Sequence, residues 1–312
     1  MKLHLPHYLS SITLPSFALV CGLLTLCSFV PQTYNCTQLT AQEPTRASEA
    51  VAQSLRDALI FHAPFEGNTQ ATLAQGEGKL LTADSIERTQ ILGHDLPQGL
   101  TIAQGQGRIG DALHFAEKTK EMVYYEGSEC GYREHNWSGS VSVWLKLDPN
   151  KDLEPGYCDP LQITERAWND AAFFIDFDKF LPRDFRLGVF ADLKAWNPQD
   201  IAWDDLPIAD RPMIVVQQPP FSTDEWTHVC FTWAHINASD SQTPVSALYL
   251  NGQPQGSYQP PKQFTWDPAK ASLMLGLNYI GLMDELSVFN APLSATQVQH
   301  LYQQPSSVSS KQ

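Results

Sequence analysis

Trp137-Ser-Gly-Ser-Val-Ser-Val-Trp-Leu-Lys-Leu147 decides the fold class. Val141, Val143, Leu145 and Leu147 alternate with Ser142, Trp144 and Lys146. A period of two puts one set of side chains on each face of a strand. The same pattern recurs outward in both directions. Upstream, Leu59, Phe61, Ala63 and Phe65 share one face. Downstream, Phe173, Ile175 and Phe177 alternate with Phe174, Asp176 and Asp178, and Leu187, Val189, Ala191 and Leu193 alternate with Arg186, Gly188, Phe190 and Asp192. Asn251-Gly252, directly after Ala247-Leu-Tyr-Leu250, signals a two-residue hairpin turn. Tyr279 to Phe289 is the last strand candidate, and a short helix from Leu293 to Tyr302 follows, with Ser294 and Gln297 spaced as a capping box. These half-apolar strands, with 22 Pro and 18 Gly as punctuation, predict an all-β, antiparallel two-sheet jelly-roll sandwich.

Composition agrees with one globular body. The chain has 312 residues, with 43% hydrophobic and 17% charged. Without the apolar N-terminus roughly 250 residues remain, the size of one large β domain. The formal net charge of −14 repels phosphate backbones, so nucleic acid is not the expected partner. Residues 12–30 carry no charge and follow Lys2, which reads as a secretory signal or a single membrane anchor over 1–30. Either way the chain is expected to be exported, secreted or held at the cell envelope. Residues 31–58 read as a linker ending in a short amphipathic helix, an N-terminal companion to the apolar one. The tail from 304 to 312 reads as disordered.

Three of the six Cys lie in the body. Cys130 and Cys158 sit in loop-like contexts and are expected to form a disulfide bond in an exported compartment, with three free thiols as the alternative. Cys230 lies in a strand-like run and reads as a small buried hydrophobe.

Several ordered segments resemble laminin-G-like jelly rolls of the concanavalin A-like lectin/glucanase superfamily, as found in secreted bacterial proteins. They are Ile60-Phe-His-Ala-Pro-Phe-Glu-Gly67, Arg108-Ile-Gly-Asp-Ala-Leu-His-Phe115, Trp137 to Trp144, Trp226-Thr-His-Val-Cys-Phe-Thr-Trp233, Leu248-Tyr-Leu-Asn-Gly252 and Gly281-Leu-Met-Asp-Glu-Leu-Ser-Val-Phe-Asn290. Together they span 59–303, with a stretch near 148–220 that reads as a long insertion. The resemblance implies a Ca²⁺ site holding Glu66 and Asp284, the alternative being that Asp284 accepts backbone hydrogen bonds and locks the two ends of the domain together, and it implies a role in binding rather than catalysis.

The polar strand positions give the candidate ligand site: Trp144, Asp176, Asp178, Arg186 and Asp192, where an aromatic ring beside carboxylates would grip a glycan. A solvated outer face is the alternative reading. Trp168, Trp196 and Trp203 form either a binding rim or the anchors of a long loop. Related glucanases use a strand motif Glu-x-Asp-x-x-Glu, and Asp176-Phe-Asp178 is the nearest imitation here. The expected function is therefore a non-catalytic module for carbohydrate or a protein partner. A divergent glycoside hydrolase or a structural envelope protein are the alternatives.

Overall fold

The computed structural model describes residues 46–308, apart from 240 and 262. The uncharged run 12–30, with the signal or anchor read into it, lies outside the described residues. Among the described residues no helix is long and apolar enough to cross a membrane.

Helix α1 (Arg46–Ala58) leads directly into strand β1 (Leu59–Ala63). Short strands follow: β2 (Leu81–Ala83), β3 (Ile91–Gly93), β4 (Leu100–Ala103), β5 (Ala112–Phe115) and β6 (Met122–Glu126). The long strand β7 (Trp137–Lys146) precedes β8 (Cys158–Thr164), β9 (Ala172–Phe177) and β10 (Phe185–Phe190). A one-turn helix α2 (Leu193–Trp196) and two 3-10 turns fill the way to β11 (Met213–Val216). Then come β12 (Thr227–Ile236), β13 (Val245–Leu250), β14 (Gln253–Tyr258), β15 (Ser272–Leu277), β16 (Gly281–Phe289) and helix α3 (Ala295–Gln303).

The strands form two eight-stranded antiparallel sheets. The first runs β14-β13-β12-β7-β16-β5-β4, with β1 on the other half of the β16 edge. Ala63 pairs with Leu286, so the first and last strands of the sandwich meet. The second sheet runs β11-β10-β9-β8-β15-β6-β2-β3. The stretch 148–220, expected as an insertion, supplies β8 to β11 and is half of this sheet. Its longest segment outside the strands is 191–212.

Alternation places Val141, Val143 and Leu145 of β7 and Phe173, Ile175 and Phe177 of β9 in one shared core. Aromatic rings join the sheets there. Trp137 of β7 lies 4.8 Å from Trp233 and 5.0 Å from Trp266, and Phe173 lies 5.2 Å from Trp233, centroid to centroid. Tight edge-on ring packing adds to area burial.

The outer faces are covered, which corrects the half-exposed reading of the strands. On the first sheet, Leu55 and Ala58 of α1 and Val298 and Leu301 of α3 close over Leu59, Cys230 and Phe289. Val308 is buried in the same cluster, so the tail is packed at least that far. On the second sheet, Ala172, Phe174 and Phe190 pack against Trp196, Trp203 and Met213.

Candidate functional site

Strand register builds the site row by row on the outer face of the second sheet. Arg186 on β10 pairs with Asp176 on β9. Across β8, Asp159 pairs with Leu277 of β15. One step along, Gly188 pairs with Phe174, Phe174 with Gln162, and Gln162 with Met274. Gly188 matters because any Cβ there would run into the Phe174 ring. The ring thus lies over β10.

These residues floor a cavity of about 660 Å³. One wall holds Tyr157 and Asn278, tied together by the Asn278 Nδ2 donating to the Tyr157 carbonyl at 3.1 Å. Another holds Trp168 and Trp203, with ring centroids 5.1 Å apart. The β2–β3 turn supplies Arg88, whose guanidinium donates to the Ile86 and Lys270 carbonyls.

Arg186 grips Asp176 through both carboxylate oxygens, Nε donating at 2.8 Å and Nη2 closing the fork. Its Nη1 reaches Asp178 at 3.4 Å, and its guanidinium sits 5.0 Å from the Tyr157 ring centroid. Asp159 is 8% exposed and stands beside this pair. Burial first, and the Asp176 charge second, push its carboxyl well above the usual carboxylate range. Asp176 is also pushed up by burial, and the Arg186 hydrogen bonds oppose the shift. Burial thus favours the neutral form of Asp159, while the Arg186 fork favours the ionised form of Asp176. Gln162 is 1% exposed, and neither its Nε2 nor its Oε1 has a hydrogen-bond partner.

The expected ligand set comes apart in three dimensions. Asp176, Arg186 and Asp178 meet. Trp144 belongs to the other sheet and is buried at 3% exposure between the Tyr302 ring of α3, 5.9 Å away, and the Arg108 guanidinium, 4.7 Å away. Asp192 lies past the end of β10 and receives hydrogen bonds from the Thr265 N–H and hydroxyl at 2.8 and 2.7 Å, so it latches a loop. Asp159, Gln162, Tyr157 and Arg88 were not in the sequence-derived set. A signal existed in Cys158-Asp-Pro-Leu-Gln-Ile-Thr164, where Leu161 and Ile163 alternate with Gln162 and Thr164. Pro160 masked it, since proline argues against a central strand. The structure accommodates it where the β8–β9 register shifts between Cys158 and Leu161.

Glu66 and Asp284 do converge, around the turn at 105–111. Glu66 accepts from the Asp111 N–H at 3.2 Å, and Asp284 accepts from the N–H groups of Ile109 at 3.1 Å and Glu285 at 2.8 Å. Asp111 in turn accepts from Gly67 and Gly105 at 3.0 and 2.8 Å. Ca²⁺ needs six or more convergent oxygens. Here N–H donors point at the carboxyl groups, which suits a latch between loops. Among the described residues no group of three or more His, Cys, Asp or Glu is placed to hold a metal.

Cys130, Cys158 and Cys230 are all buried free thiols, so the expected Cys130–Cys158 bridge is not formed. Both residues are buried in the shared core, Cys130 on the 3-10 turn after β6 and Cys158 at the start of β8, and not in the surface loops their sequence contexts suggested. Burial pushes all three thiols up, which leaves them unreactive.

A family model for the concanavalin A-like lectin/glucanases superfamily matches residues 132–299. No curated protein matches the chain. Among solved structures, domain 4 of an extracellular arabinanase from Geobacillus stearothermophilus, in complex with arabinotriose, is 19% identical, with a TM-score of 0.47 and coverage of 78% of this chain and 98% of that one. The receptor binding domain of botulinum neurotoxin C/D mosaic serotype is 12% identical, with a TM-score of 0.51 and coverage of 80% and 51%. The binding domain of botulinum neurotoxin DC, in complex with SialylT, is 12% identical, with a TM-score of 0.49 and coverage of 80% and 52%. The chain spans about half the length of these toxin domains. At such identities the likeness is one of fold.

Proposed function

The chain belongs to the concanavalin A-like lectin/glucanases superfamily, and on that premise we propose that it binds carbohydrate in the cavity on the outer face of its second sheet. The observation that carries this is the cavity floor. Asp159, Asp176 and Arg186 put carboxyl and guanidinium groups on it, with Gln162 on the neighbouring row. Trp168, Trp203 and Tyr157 stand around these polar groups. Sugars need that combination, because their hydroxyls seek hydrogen bonds while their ring faces stack on aromatic surface. The uncharged run 12–30 supports the companion proposal that binding takes place outside the cell or at its envelope.

The test is a broad glycan array followed by calorimetry on the purified full chain. The expected result is saturable binding that Trp168→Ala and Tyr157→Ala each weaken. A folded protein that binds no glycan overturns the reading. Binding that neither substitution changes moves it away from this cavity.

Hydrolysis is a second reading with one observation in its favour. Burial pushes Asp159 towards its protonated form, and the Arg186 fork holds its neighbour Asp176 towards the ionised one, a contrast that suits acid and base partners. The Arg186 fork occupies both oxygens of Asp176, which weakens it as a nucleophile. Release of reducing sugar from a bound glycan, abolished by Asp159→Asn, would establish this reading over simple binding.

A further inference from the structure

Asp159 is a carboxyl on the cavity floor that the protein itself does not pair. It is 8% exposed, and among the described residues its side chain makes no hydrogen bond or ion pair. Its oxygens open onto the cavity, unlike those of Gln162 on the neighbouring row. Buried carboxyl groups in folded proteins are nearly always paired. Arg186 does not serve, because its guanidinium is committed to Asp176 and Asp178. Burial and the Asp176 charge both oppose ionisation of Asp159, and Arg186 offsets them only in part.

The charge of the whole lining points the same way. Three arginines and four carboxyl groups line the cavity. Arg166 is paired with Asp170, outside the lining, and Arg186 with Asp176 and Asp178. That leaves Arg88 against Glu87, Glu165 and Asp159. Arg88 lies towards the β2–β3 turn, where it feels the charges of Glu165 and Glu87. The lining is therefore short of positive charge, and Asp159 is the buried place where that shortage falls.

A ligand group seated on Asp159 could be a hydroxyl or a cation. A hydroxyl supplies a hydrogen bond and leaves the charge of the lining unbalanced. A cation supplies both, and a charge-assisted hydrogen bond is the stronger one. The cation that a sugar can carry is an ammonium. It would take the place of the proton that burial favours on free Asp159, and that proton would leave to solvent.

We propose that the cavity selects a sugar bearing a free amino group, whose ammonium pairs with Asp159. The proposal rests on the carbohydrate reading above and deepens it.

The experiment uses matched sugars that differ only in this substituent: glucosamine against glucose and N-acetylglucosamine, and galactosamine against galactose and N-acetylgalactosamine. Binding to the full chain is measured by calorimetry at about pH 7, where a sugar amine is largely charged. The expected result is that one amino sugar binds at least about tenfold more tightly than both of its neutral counterparts, as one charge-assisted hydrogen bond allows. Asp159→Asn should bring the members of that set together. Its folding is checked by near-ultraviolet circular dichroism, and it should unfold at no lower urea concentration than the parent, because it removes a buried carboxyl that has no partner. Equal binding within each set, or a preference for the amine that persists in Asp159→Asn, overturns the ammonium proposal and leaves carbohydrate binding standing. So does a neutral glycan bound from the array when neither amino sugar binds. If Asp159→Asn does not fold, the amine against its N-acetylated form on the parent protein decides. No binding by any of these sugars, or by any glycan on the array, overturns both readings.

Discussion

Arg186 holds the cavity floor together. It neutralises Asp176 through a two-point fork, keeps Asp178 within reach and lies against Tyr157. Breaking a buried ion pair from one side leaves an uncompensated charge, at about 3–5 kcal/mol. Arg186→Met should therefore lower the unfolding free energy in urea by about that amount, and a change below about 1 kcal/mol would show that the pair is not buried in solution. Gln162→Leu should act in the opposite direction. Removing an amide with no partner should stabilise the unliganded protein by about 1–3 kcal/mol. Asp284 gives a pH signature. Burial raises its carboxyl to about 8, against the pull of the Ile109 N–H, so the folded state holds a proton that the unfolded state releases near 4. The folded form therefore binds more protons in this window, and stability falls as pH rises towards the folded value. His62 and His228, held down to about 4 and about 3 by burial, are mostly neutral in both states above pH 7 and oppose this only weakly. Asp284→Asn should flatten the fall in stability between pH 7 and 8 by an amount on the order of 1 kcal/mol per pH unit, read from urea titrations at each pH.

At the scale of elements, helix α3 shows what local sequence can specify. Ser294 Oγ accepts from the Gln297 N–H at 3.3 Å, and Gln297 Oε1 accepts from the Ser294 N–H at 2.8 Å, the reciprocal arrangement that the residue spacing suggested. The cap starts a helix that carries Val298, Leu301 and Tyr302 onto the first sheet. Ser294→Ala should cost about 1 kcal/mol, and Leu301→Ala about 2–5 kcal/mol through the cavity it leaves, both measured by chemical denaturation. The β13–β14 turn was legible for the same local reason. Asn251 and Gly252 hold φ at 49° and 77°, a geometry those two residue types tolerate. Strand β8 was not legible. Pro160 interrupts its alternation, and only the register shift beside it explains how a central strand tolerates a proline. Gln162, which lies just beyond that shift, was lost with it.

At the scale of the molecule, the two sheets are joined by an aromatic core and capped on their outer faces by different material, helices on one and the 191–212 segment on the other. Among the described residues no disulfide is formed. The body's three thiols should resist alkylation in the native protein and all react in denaturant, and reducing agent should leave the thermal midpoint unchanged. Sequence alone determined the alternation of the strands, the hairpin, the helix cap and the membership of the fold. Each of those depends on residues close together along the chain, or on motifs whose order a jelly roll imposes. The tertiary structure alone decided which alternating faces are covered, that Trp144 and Asp176 belong to different sheets, and that Asp159 and Gln162 share a floor with Arg186. The physical reason is register. A period of two tells which residues share a face of one strand, but which strands lie side by side, and what settles over them, is set by pairing and packing between residues far apart in the chain.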